Sequence, residues 1–92
     1  MKERYENLNP LAADQEALTI LMEECGEVAQ AASKCIRFNG GADNKGRLSG
    51  EIGDLLAIIE ILFSQGLVDE TLAAASVDKK KEKLKFYSNL EF

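Results

Sequence analysis

From residue 14 to residue 38 apolar residues recur at Ala17, Leu18, Leu21, Cys25, Val28, Ala32, Cys35 and Ile36, the three-and-four spacing of an α-helix. This pattern predicts a helix from Asp14 to about Phe38. Asn39-Gly40-Gly41 closes it, because Asn and Gly accept the left-handed backbone that ends helices. Asn9-Pro10 reads as the start of a helical turn, with Asn9 as cap and Pro10 at the first position. Ala42 to Lys45 reads as a short polar loop.

A second helix is predicted from Gly46 to Gln65, ended by Gly66. Its apolar run is nearly continuous, from Leu48 and Ile52 through Leu55, Leu56, Ile58 and Ile59 to Ile61, Leu62 and Phe63. A helix apolar on most sides needs more than one neighbour. A short chain has few helices to offer, so the missing cover predicts a second subunit. Asp69 is placed to cap a third helical segment supported by Leu72 and Ala73 to Ala75, and Ser76 permits a bend or a new cap. Val77 to Leu90 is helical again, with Leu84, Tyr87 and Leu90 expected to face inward and lysines at 79, 80, 81, 83 and 85. The fold class is therefore all-α: one domain over residues 1–92, an antiparallel helical bundle completed by oligomerisation.

Composition narrows the chemistry. A hydrophobic share of 46% belongs to a globular chain, and 92 residues build only a thin core. The formal charge of -5 and the lack of an Arg-rich stripe argue against general nucleic-acid binding, although metal ions can bridge an acidic protein to an anionic ligand. The absence of His removes the commonest general base and transition-metal ligand. Cys25 and Cys35 have no companions for a structural zinc site and read as small apolar residues in the reduced state. No stretch reads as a secretory signal or a membrane span, so a cytoplasmic protein with no membrane partner is the expectation.

Five acids sit inside the apolar patterns, where charge is expensive: Glu23, Glu24 and Glu27 as E-E-x-x-E, then Glu51 and Asp54 as E-x-x-D. At about 100° per residue, Glu24 falls in the middle of the first helix's apolar stripe, Glu27 at its edge and Glu23 beside Glu27. Glu51 and Asp54 are one turn apart and border the second core, with Gly50 and Gly53 leaving a notch beside them. In an antiparallel hairpin the two groups face each other. Carboxylates this close repel, and a hard divalent cation such as Mg²⁺ resolves the conflict with oxygen ligands and retained waters. Either motif alone is a common solvated surface pattern; both together, on apolar faces of adjacent helices, point to a metal site.

The paired motif, Glu23-Glu24-Cys25-Gly26-Glu27 followed by Glu51-Ile52-Gly53-Asp54, resembles that of the all-alpha NTP pyrophosphatases, the MazG-like group, especially its short single-domain bacterial and phage members. The surroundings Leu21 to Val28 and Ala31 to Phe38 are similar too, and the resemblance covers roughly residues 15 to 88. It implies Mg²⁺-dependent hydrolysis of an NTP or dNTP to the monophosphate and pyrophosphate, with Mn²⁺ as a substitute. It also implies homodimers or homotetramers with sites between helices of more than one subunit. Carried over by position, Glu24, Glu27, Glu51 and Asp54 are metal ligands. Glu23 and Glu27 are the carboxylates placed to position or activate water, Lys34, Lys79 and Lys83 candidates for phosphate contact, and Tyr87, with Phe38 and Phe86, a candidate for base contact. No G-x-x-x-x-G-K loop is present, which argues against an ATPase of that class. The competing reading is a noncatalytic helical oligomer that acts as a nucleotide-binding or protein-interaction module. It is motivated by the small size, the apolar second helix and the scarcity of aromatics.

Overall fold

Helix α1, Pro10–Arg37, turns back on helix α2, Ala42–Ser64, to make an antiparallel hairpin, and helix α3, Glu70–Tyr87, follows. The computed structural model describes residues 10–38 and 41–92. Pro10 stands at the first helical position, as expected, while Asn9, Asn39 and Gly40, expected as cap and stop, lie outside the described residues. The second helix begins at Ala42 rather than Gly46, so the expected polar loop at residues 42–45 is wrong. Its first turn is closed by the Lys45 N–H donating to the Gly41 carbonyl at 3.0 Å, with Asp43 at the positive end of the helix dipole.

Gly66 ends α2 as expected. It adopts φ 73°, and the N–H groups of Gly66 and Leu67 donate to the Phe63 and Leu62 carbonyls at 3.1 and 3.0 Å, satisfying the last turn. Asp69 caps α3 through its carboxylate, which accepts from the Leu72 N–H at 2.9 Å. Ser76 makes no break: α3 runs straight through it.

The core lies along the α1–α2 seam. Ala17, Ala31, Ile58 and Leu62 are its buried residues. Alanines on α1 let the α2 backbone come close, and Ile58 and Leu62, one turn apart, fill the line of contact. The register is marked at the closed end by the Cys35 thiol donating to the Asn44 carbonyl at 3.5 Å. Helix α3 makes no extended packing against the hairpin and has no buried residue. Tyr87 and Leu90, expected to face inward, are 87% and 61% exposed, because among the described residues no element packs extensively over α3; Leu84 is half-buried.

The molecule measures 49 × 32 × 14 Å. Helix α3 is not packed extensively over either hairpin helix, so both faces of the hairpin are largely open among the described residues. The two faces of the hairpin differ. Measured from Ala17 on α1 and Ile58 on α2, Leu18, Cys25 and Ile36 sit about 80–100° to one side, and Ile59, Ile52, Phe63 and Leu56 about 100–160° to one side. Antiparallel helices turn in opposite senses when viewed from one end, so equal offsets fall on the same face. That face is apolar, and Leu18, Ile36, Ile52 and Leu56 on it are 42%, 81%, 39% and 53% exposed. The acids occupy the seam and the opposite face.

Candidate metal centre

Glu24 on α1 and Glu51 and Asp54 on α2 each bring a carboxylate oxygen within 4.8 Å of the others. Glu24 and Glu51 are half-buried beside the seam and Asp54 is exposed. The local cause is the register: Glu24 falls between the two buried alanines of α1, and Asp54 precedes the buried Ile58 by one turn. The hairpin therefore cannot form its core without bringing the acids together. Burial holds the Glu24 carboxyl above its ordinary value of 4.5, and the charges of Asp54, Glu51, Glu27 and Glu23, in that order, add to the shift.

Mg²⁺ takes oxygens at about 2.0–2.1 Å, so its ligands stand no more than about 4.2 Å apart. The trio's 4.8 Å limit lies within side-chain rotation of that spacing, and three carboxylates leave octahedral positions for water or phosphate oxygens. The donor set fits a hard cation. A Cβ built at Gly50 or Gly53 meets nothing within 4 Å, as at the other described glycines, so the space beside the acids is open surface and not a walled notch.

The other expected residues divide. Glu23 and Glu27 are exposed and stand outside the trio, yet both are near enough for their charge to act on Glu24. Glu27, expected as a metal ligand, is thus beside the converging group rather than in it. Lys34 lies half-buried on α1, two turns beyond Glu27. Lys79 and Lys83 line a separate hollow on α3 with Ser76 and Lys80, and Tyr87 is open to solvent. Within one chain, α3 does not join the acidic cluster.

Two features of this face were not picked out from the sequence. One is Arg47, one turn before Glu51 on the seam side of α2. The other is a groove of ≈ 380 Å³ at the open end of the hairpin, lined by Ala13, Glu16, Ala17, Ile20, Ile58, Ile61 and Gln65. The readable signal was the repeat of Ile20 one turn before Glu24 and of Ile58 one turn after Asp54. Cys25, expected as a small apolar residue, is exposed, and Cys35 is half-buried. Among the described residues no helix is long and apolar enough to cross a membrane. Compared with models of known protein families, with characterised proteins and with solved structures, the chain matches none.

Proposed function

We propose that the chain is a Mg²⁺-dependent nucleoside triphosphate pyrophosphohydrolase of the MazG-like all-α kind, converting an NTP or dNTP to the monophosphate and pyrophosphate. The observation that carries this reading is the convergence of Glu24, Glu51 and Asp54 within 4.8 Å, from the two helices whose acidic motifs carry the family resemblance. A bound Mg²⁺ supplies a Lewis acid for phosphoryl oxygens and offsets charge that would otherwise keep an anionic substrate from an acidic face. The trio holds the cation. Glu27 or Glu23, both exposed beside it, takes one proton of a water as its oxygen bonds to the α phosphorus. The bridge from the α phosphorus to the β phosphate breaks, and pyrophosphate leaves.

The same proposal includes assembly as a homodimer or homotetramer. It is supported by a hairpin with four buried core residues among the described residues and an apolar face left open. Since α3 packs over neither hairpin helix, Lys79 and Lys83 have the role of phosphate contacts only through a neighbouring subunit's trio.

The test is a product assay. Purified protein is incubated with the canonical NTPs and dNTPs in Mg²⁺, and the products are separated. The expected result is equal amounts of monophosphate and pyrophosphate, lost on chelation and in Glu24→Gln. An intact oligomer that releases neither product from any nucleotide overturns the hydrolase and leaves the noncatalytic helical oligomer.

A further inference from the structure

The seam of the hairpin changes character along its length. At the closed end are two cations: Lys34, two turns beyond Glu27 on α1, and Arg47, one turn before Glu51 on α2. Neither is in an ion pair among the described residues. In the middle is the acidic trio. At the open end is the groove whose walls are mostly aliphatic (Ala13, Ala17, Ile20, Ile58 and Ile61), with the polar Glu16 and Gln65 also lining it. Ile20 and Ile61 remain 36% and 45% exposed there.

These three zones share one face. The groove's wall residues continue the stripes that carry the acids, since Ile20 precedes Glu24 by one turn and Ile58 and Ile61 follow Asp54 by one and two turns. The Cys35–Asn44 contact fixes the antiparallel register, so Lys34 and Arg47 fall at the same end of the seam. Along α2, Arg47 to Asp54 and Asp54 to Ile61 each span about 10 Å. A ligand matched to this order has an anionic tail, a metal-binding middle and a flat, weakly polar head. The two ends of a nucleoside triphosphate differ in this sense.

We infer that the ligand of the trio lies lengthwise on the seam, its phosphate tail toward Lys34 and Arg47 and its heterocyclic head in the groove between Ile20 and Ile61. The inference rests on the hydrolase reading and adds an orientation and a specificity element to it. Aliphatic walls take the face of a ring, and the Gln65 amide offers a donor and an acceptor to its edge. Ile20 and Ile61 are then specificity-determining residues, and Arg47 is a phosphate contact.

Binding separates the two ends without requiring turnover. A nucleoside triphosphate with a non-hydrolysable methylene bridge between its α and β phosphorus, nucleoside monophosphate and inorganic triphosphate are titrated by calorimetry in Mg²⁺ against the wild type, Ile61→Ser, Ile20→Ser and Arg47→Ala. Helicity by circular dichroism and mass by sedimentation are followed for each variant. The half-exposed isoleucines tolerate serine, so at least one of the two variants keeps the fold. Ile61→Ser or Ile20→Ser is expected to weaken nucleoside triphosphate about tenfold and leave inorganic triphosphate unchanged. Arg47→Ala is expected to weaken both triphosphates several-fold and spare the monophosphate. Equal losses for nucleotide and inorganic triphosphate in the serine variants, or no loss, overturn the orientation while the hydrolase reading stands. A fall in sedimenting mass with either serine variant assigns the groove to the subunit interface and also overturns it. A wild type that binds none of the three ligands removes the hydrolase reading and the orientation together.

Discussion

Glu24 on α1 and Asp54 on α2 bring carboxylate oxygens within 4.8 Å of each other across the hairpin. Asp54 leads the Coulombic contributions that hold Glu24 above its ordinary value, second only to burial. Such a pairing opposes folding wherever both groups are charged, and among the described residues no cationic side chain forms an ion pair with either. The buried alanines on either side of Glu24 and the buried Ile58 after Asp54 force the approach. The core therefore sustains a repulsion that a bound divalent cation would relieve, so metal binding would be linked to stability.

Stability without metal should depend on pH with a definite sign. Glu24's folded-state value lies above 4.5, so between 4.5 and that value the native state holds more protons than the unfolded chain. The stabilisation from this proton is complete below 4.5 and is lost as pH rises through the folded value. Thermal melts in chelator across this range should show Glu24→Gln removing part of the decline. A variant whose melting curve keeps the wild-type pH dependence would mean that another group controls it.

Adding Mg²⁺ at neutral pH should reverse the loss. A ligand that binds only the folded state stabilises it by mass action, and at about a hundred times its Kd the melting temperature of a domain this size rises by about 10 °C. Glu51→Gln and Asp54→Asn should each abolish most of the shift, while Glu60→Gln, an exposed acid outside the trio, should keep it. Equal shifts in all of these proteins would assign the ion to the general negative charge of the surface.

How much of this was legible in the chain depends on whether the signal was local. The two acidic groups and the apolar run of α2 are written in three-and-four spacing, so the hairpin and the approach of Glu24, Glu51 and Asp54 follow from periodicity alone. The Gly66 stop and the Asp69 cap are equally local. The start of α2 was misread because Ala42 to Lys45 is polar, and polarity does not distinguish a loop from the exposed first turn of a helix. The facing of α3 was misread for another reason. Leu84, Tyr87 and Leu90 have helical or near-helical spacing, but spacing says nothing about whether a neighbour exists. The Arg47 position and the open-end groove depend on two helices in register, which no single stripe records.

Asp69→Ala tests how far α3 stands by itself. The Asp69 carboxylate accepts from the Leu72 N–H at 2.9 Å, and α3 has no buried residue to hold it otherwise. Losing an N-cap costs about 1 kcal/mol, and a helix of 18 residues without packing is marginal in water. In a monomer, the variant should lose α3 helicity by circular dichroism with the hairpin's melting temperature unchanged. If α3 is covered by another subunit, the same substitution should leave helicity intact and lower the melting temperature slightly.

Assembly itself is best tested where the single chain says a substitution should not matter. Leu56 is 53% exposed on the apolar face, so in a monomer Leu56→Glu is a surface change worth within about ±0.5 kcal/mol. In an oligomer the same side chain lies inside an interface, where a buried leucine contributes about 1.5–3 kcal/mol and an unpaired carboxylate cannot be accommodated. Sedimentation of the wild type should give a dimer or tetramer, and Leu56→Glu should shift it toward monomer with a lower melting temperature. Thr19→Glu, a charge insertion at an exposed position on α1 away from that face, should change neither. A monomeric wild type that melts at the same temperature as Leu56→Glu would leave the apolar face bare in solution. Lys79 and Lys83 would then have no subunit's phosphates to reach, because α3 does not fold over its own hairpin.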